Sequence, residues 1–255
     1  NEDLKAYVDV AVAEPSTLEN PDYWNELGAT VGTLGYSDRS IECFNRSLTL
    51  DPQNHSARLN LAATLGASGQ HDEAVALIDE VPNTTERRSV ILANTLADRG
   101  DGLDAIPLYE QAISEEPDFA LPYQRLLSIL RKEGHPLYEY WVEQAARMLP
   151  SSPWIADCYA HSLFSARRLE ELANADWLDE VKVKVDYSVI GQPDYLFEAT
   201  RAGIVRQLAI AILNPTRESI ESLAGKIASI DPEWHFCDVG KNLSMLCANQ
   251  GLPEF

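Results

Sequence analysis

Pro21-Asp22-Tyr23-Trp24-Asn25-Glu26-Leu27-Gly28, followed by Gly35, Phe44 and Pro52, is the stretch on which the reading of this chain turns. Trp24, Leu27 and Val31 fall three or four residues apart and so share one face of a helix. Gly35 stands just past its end, where a residue in the left-handed region can close the last turn. A second helix is predicted from near Asp38, with Ile41, Phe44 and Leu48 on its inner face. Pro52 stops it, having no amide to donate and disfavouring helix in the residue before it. Gly28 carries no side chain, so the second helix can approach closely. These residues predict an antiparallel hairpin with an apolar stripe that it cannot bury alone.

The phrase returns along the chain. Leu61-Ala62, Leu92-Ala93 and Tyr159-Ala160 repeat the large-small pair of Leu27-Gly28, and Leu126-Leu127 holds the same slot. A glycine returns at Gly69, Gly100 and Gly134. Tandem recurrence at about 34 residues predicts an all-α solenoid of stacked helical hairpins, an architecture that forms extended binding surfaces more often than active sites.

These residues resemble the tetratricopeptide repeat, whose pattern runs W-x2-L-G-x2-Y, then A-x3-F, then P. Trp24, Leu27, Gly28, Phe44 and Pro52 match it, with Val31 at the tyrosine and Ser40 at the alanine. The second unit keeps Leu61, Ala62, Gly69 and Ala74 but is about three residues short, with Pro82 arriving early. The third has Leu92, Ala93, Gly100, Ala105, Tyr109, Ala112 and Pro117. The fourth has Tyr123, Leu126, Gly134, Ala145 and Pro150, with Val142 beside Trp141 in the slot of the second-helix aromatic. The resemblance implies a right-handed superhelix. It divides the chain into a capping segment at 1–20, four repeats over 21–152, a divergent fifth over 153–180, an extended insertion at 181–194, and a C-terminal helical repeat and cap at 195–255. The fifth begins with Tyr159-Ala160 and Leu163 and degenerates around Arg167 and Arg168. Arg201 to Ile212, Glu218 to Ile230 and Phe236 to Asn249 read as the closing helices, and Leu4, Tyr7, Val8, Ala11 and Val12 recur at helical spacing at the other end.

In this family the first helix of each hairpin lines the concave side, where a partner peptide lies. Carried across by motif, those faces hold Asp22, Asn25 and Ala29; Leu59, Asn60 and Ala63; Arg87, Val90 and Asn94; and Gln124, Ser128 and Arg131. Asn25, Asn60, Arg87, Asn94, Gln124 and Arg131 are therefore the expected partner-binding residues. Side-chain amides can grip an extended backbone, and the arginines can pair with carboxylates. The two-lysine, two-asparagine, one-arginine clamp of chaperone-binding versions is not matched, because the first repeat offers Asn25 and Ala29. Nor is the asparagine ladder of versions attached to sugar transferases, since its slots here read Glu26, Asn60, Ile91 and Arg125.

The formal net charge is −20, with −4 on residues 1–20, −10 on 21–152 and −6 on 153–255. So acidic a chain repels phosphate backbones and anionic membranes, which favours a protein or peptide partner, including one with a basic segment. No run of 18 apolar residues is present and no secretory leader is visible, so the expectation is a cytoplasmic protein without membrane insertion. The cysteines Cys43, Cys158, Cys237 and Cys247 are scattered, without C-x-x-C. Sequons at Asn45, Asn54, Asn83 and Asn242 carry meaning only in a secretory context. Phosphate loops, G-x-G-x-x-G, H-E-x-x-H and the nucleophile elbow are all missing, so no catalytic residue, cofactor or enzymatic activity is expected. His55, His71, His135 and His161 are dispersed, and His235-Phe236-Cys237-Asp238 would need a further ligand from elsewhere, so no metal is expected either.

One segment departs from helical spacing. Val181-Lys182-Val183-Lys184-Val185-Asp186-Tyr187-Ser188-Val189 alternates apolar and polar, which is a strand pattern. It reads either as an extended loop with buried valines or as an edge at Val181, Val183 and Val185 for strand addition by a partner or a second copy, with Tyr7 to Val12 as a possible mate in a homodimer. The functional expectation is a scaffold or adaptor that binds a peptide or protein in its groove. The alternative is the substrate-recruiting arm of a larger enzyme, a transferase or oxygenase, whose catalytic domain lies outside this chain.

Overall fold

The computed structural model describes residues 19–181, 183–185, 195–197, 201–230 and 238–249, and the chain divides into two compact units, residues 1–133 and 134–255. The N-terminal capping segment, the Tyr7 to Val12 run, most of the insertion and the His235 cluster up to Cys237 lie outside the described residues.

The first unit is a run of helices: α1 (Pro21–Thr33), α2 (Ser37–Leu50), α3 (His55–Ala67), α4 (His71–Asp79), α5 (Arg88–Arg99), α6 (Gly102–Glu115) and α7 (Ala120–Lys132). They pack as hairpins α1/α2, α3/α4 and α5/α6, with α7 against α6. The first helix starts where the sequence dictates. The Asn20 side chain accepts the Asp22 and Tyr23 amides at 3.0 and 3.4 Å, Pro21 opens the first turn and Asp22 faces the helix dipole. It ends in a left-handed glycine closure. Gly35 at φ +86° donates to the Gly32 carbonyl, and Tyr36 reaches back to Val31.

Close approach of the two helices accounts for Gly28. A methyl group there would sit 2.7–2.8 Å from ring carbons of Phe44, so α2 could not lie where it does. Ser40, in the alanine slot of the motif, is fully buried because its hydroxyl donates to the Gly28 carbonyl at 2.7 Å. Ser47 ties the far end of the hairpin by donating to the Pro21 carbonyl at 2.8 Å. Trp24, Val31, Cys43, Phe44, Leu61, Ala62, Leu65, Ile78, Ala105, Tyr109, Leu126 and Leu130 are buried in this unit. The Arg46 guanidinium lies 4.3 Å from the Trp24 ring centroid. The second helix of the short second repeat, α4, is nine residues long against fourteen for α2 and α6. The chain then regains its phase through a loop in which Arg87 is left-handed, at φ +64°.

The second unit contains α8 (Tyr138–Met148), α9 (Pro153–Ser165), α10 (Leu169–Asn174), a 3-10 turn (Asp176–Asp179), strands β1 (Val183–Val185) and β2 (Tyr195–Phe197), then α11 (Arg201–Leu213), α12 (Arg217–Ile230) and α13 (Asp238–Asn249). Its core gathers around α11, which packs on α9, α10, the 3-10 turn, α12 and α13 and buries Ala202, Ile204, Val205, Leu208, Ala209 and Ala211. A helix apolar on nearly all sides belongs in such a central position. Arg206 is a polar residue of α11 whose side chain is only 11% exposed. It donates to the Ala173 carbonyl at 3.0 Å and to the carboxylates of Asp176 and Asp179, holding the end of α10 and the 3-10 turn against α11.

The alternation around residue 183 does form a strand. Its mate is a segment of the same chain: β1 pairs antiparallel with β2 in the register Val183↔Phe197, Lys184↔Leu196 and Val185↔Tyr195. Val181 is not on this strand. It is buried in the core beside Leu178, which removes it from any pairing edge.

Candidate functional site

In the first unit α1 packs on α3 and α3 on α5, while Arg125 of α7 donates to Asp98 of α5 at 3.3 Å. The first helices of successive hairpins thus present their faces side by side. Asn25 and Asn60 meet there, the Asn60 amide donating to Asn25 Oδ1 at 3.0 Å. The bond leaves the Asn60 oxygen and the Asn25 amide hydrogens for a third group, which is the pairing that an extended backbone offers. Farther along, a cleft is lined by Ala63, Gly66 and Ala67 of α3, by Ile91, Asn94, Thr95 and Asp98 of α5 and by Arg125 of α7. The small residues of α3 keep it open, and at Gly66 the helices run close, since a methyl group would come within 3.2 Å of Thr95 Oγ1.

Asn94 is held from behind. The Tyr109 hydroxyl, on the second helix of the same hairpin, donates to Asn94 Oδ1 at 2.8 Å. Burial pushes the Tyr109 phenol far above its usual range, with Arg125 opposing and Asp98 reinforcing the shift, so it remains a donor at any ordinary pH. The Asn94 carboxamide is therefore oriented with its N–H groups turned from the hairpin core. The aromatic of the repeat motif here has a second task, positioning a polar residue of the open face.

The expected binding residues fare unequally. Asn25, Asn60 and Asn94 lie on this face, half-buried and hydrogen-bonded. Gln124 is half-buried on α7, and Arg131 is exposed in its last turn; neither lines the cleft. Arg87 is exposed in the loop before α5 and does not line it either. Leu59 and Val90 are core residues at 4% exposure, because they point between helices and not outward, which corrects their assignment to the open face. The residues missed are Asp98 and Arg125. Asp98 was available as the i+4 neighbour of Asn94, and Arg125 stands in the motif slot of Asn60.

Models of the tetratricopeptide repeat match residues 21–54 and 43–76. Residues 21–76 of the chain thus carry tetratricopeptide repeats. Mouse tetratricopeptide repeat protein 21A is 27% identical over 128 residues, 48% of this chain. This chain spans only 10% of that protein's length. Among solved structures, PilF of Pseudomonas aeruginosa is similar at 15% identity with a TM-score of 0.57, over 84% of this chain and 92% of its own. MamA is similar at 18% identity with a TM-score of 0.51, over 63% and 90%. Both likenesses concern the fold alone. Among the described residues no helix is long and apolar enough to cross a membrane, and no group of three or more His, Cys, Asp and Glu could hold a metal ion.

Proposed function

We propose that this tetratricopeptide-repeat chain is a protein-recognition scaffold that holds an extended peptide segment of a partner across the α1, α3, α5 and α7 face of its first unit. The observation that carries the reading is the row of oriented amides, Asn25 with Asn60 and Asn94 with Tyr109, beside a cleft floored by small residues. Amides already fixed by neighbours lose little entropy on meeting a peptide backbone. Residues 1–133 carry a net charge of −13, which favours a partner segment rich in Lys or Arg over an acidic one. In this reading the chain acts by binding, without chemistry of its own. A recruiting arm of a larger enzyme would use the same face, so one binding measurement serves both.

The test is selection of peptides from a random displayed library on the whole chain, then affinity measurement against the double variant Asn60→Ala/Asp98→Lys. The expected result is basic extended peptides whose affinity falls by about tenfold or more in a variant that still unfolds cooperatively. Equal affinity for the variant would contradict the reading. A second route rests on β1, which among the described residues pairs on one side alone, with β2, so that a strand from a partner or a second copy could add to the other. Concentration-dependent mass in sedimentation would favour the second copy.

A further inference from the structure

The fifth hairpin is cut short, and a hollow lies beside the shortened helix. Its second helix, α10, stops after six residues and hands over to the 3-10 turn at Asp176. The hollow, between the end of α8 and α9, is lined by Glu143, Ala146, Arg147 and Pro150 on one side and Tyr159, Glu171 and Trp177 on the other. A second hollow, lined by Pro150, Ser151, Trp177, Glu180 and Val181, adjoins it through Pro150 and Trp177. The Tyr159 and Trp177 rings lie 5.6 Å apart, tilted by 42°, so two π surfaces flank the trough.

The charge around these rings has a sign. Glu143, Glu171, Glu180, Asp176 and Asp179 supply five carboxylates, against three cations, Arg147, Arg168 and Arg206. Arg206 is turned inward to Asp176, Asp179 and the Ala173 carbonyl. Arg168 bridges Glu143 and Glu171, at 2.8 Å to each, so the walls already accept one guanidinium. Arg147 stands 4.0 Å from Glu143, its side chain 70% exposed, and can swing away at little cost. Burial raises the Tyr159 phenol, and the carboxylates of Glu171 and Glu143 raise it further against the opposition of Arg168, as expected where the local field is negative. Glu180 is exposed at the rim beside Trp177.

We propose that this trough is a second binding site, for an arginine or lysine side chain of a protein partner, seated against Trp177 and Tyr159 with Glu180 as its charge partner. A cation is attracted to the negative face of an aromatic ring, most strongly to indole, and the attraction grows when water is partly excluded. An anionic ligand would meet the excess of carboxylates and be repelled. The site lies wholly within the second unit, so it is independent of the face on the first.

The probe is Nα-acetylated arginine amide, with Nα-acetylated citrulline amide as its neutral isostere, titrated into the ¹⁵N-labelled whole chain while the tryptophan indole resonances are followed. Trp177→Phe identifies the Trp177 resonance. The expected result is a saturable shift of Trp177 with the acetylated arginine amide, at least fivefold weaker binding in Glu180→Lys, and weakening with added salt. The acetylated citrulline amide should shift it little. Equal response to the citrulline probe, unchanged affinity in Glu180→Lys, or comparable shifts at Trp24, Trp141 and Trp154 would each overturn the proposal. Glu180 is exposed, so its replacement tests the charge without disturbing the fold.

Discussion

Gly35, Gly69 and Gly100 in the first unit each occupy a left-handed position after a helix, and in each case the next residue donates back to the carbonyl five residues before it. In the second unit Arg167 takes that same position at φ +59°, and Arg168 donates to Leu163 in the same way at 2.9 Å. The hairpin turn is retained after its glycine is gone. What changes is the helix that follows: fourteen, nine and fourteen residues after the glycine turns, and six after Arg167. The two units show that the closing hydrogen bonds define this turn and glycine only makes it inexpensive. The second unit tolerates a worse residue because Arg168, the next one, is anchored to Glu143 and Glu171.

The comparison can be broken most violently at the helix crossing of the first hairpin. Gly28→Ala should destabilise the chain by about 3 kcal/mol, because a methyl group would overlap a fully buried Phe44 with no space to yield. Denaturant titration followed by circular dichroism would measure it, and a loss under about 1 kcal/mol would mean that the crossing relaxes. Next comes the anchor of the second unit. Arg206→Met should cost about 2 kcal/mol by leaving the Ala173 carbonyl and two aspartates without their donor. Hydrogen exchange should show the loss in α10 and the 3-10 turn and leave α1 to α6 unchanged.

A pair of exchanges at the turns is smaller and opposite in sign. Gly35→Ala should cost about 1 kcal/mol through left-handed strain. Arg167→Gly should add about 0.5 kcal/mol, strain relief being partly offset by the freedom glycine regains in the unfolded chain. If both changes destabilised, Arg167 would be held by contacts beyond its backbone. The smallest effect is a pH dependence at His161. Its hydrogen bond to Asp157 is the largest cause of a raised pKa, burial opposing it. The charged form is favoured on folding, so the contribution is full below about pH 6.5 and is lost as pH rises through the folded value. NMR titration of His161 should show a raised midpoint that returns to the ordinary range in Asp157→Asn.

Much of this was legible because repetition multiplies weak signals. Helix α1 could be read from Trp24, Leu27, Val31 and Gly35 alone, and the closing helices α11 and α12 from their apolar spacing and Asp231-Pro232. Strand β1 showed in its alternation, but its mate did not, since Tyr195–Phe197 is three residues long and too short to display a period. The turn at Arg167 was hidden because left-handed backbone was expected only where a glycine stands. On the open face, the motif placed Asn25, Asn60 and Asn94 correctly in the helices. It could not reveal the Asn25–Asn60 and Asn94–Tyr109 bonds, or the Asp98–Arg125 pair that joins residues 27 apart, because such contacts depend on how neighbouring helices are set.

The most direct test of the recognition face is photo-crosslinking from within it. A benzophenone amino acid placed at exposed Ala63, in the cleft of the first unit, should capture a peptide selected on the whole chain, while the same group at exposed Leu103 on α6 should not. Capture from Leu103 and none from Ala63 would contradict the account and move recognition to the second helices.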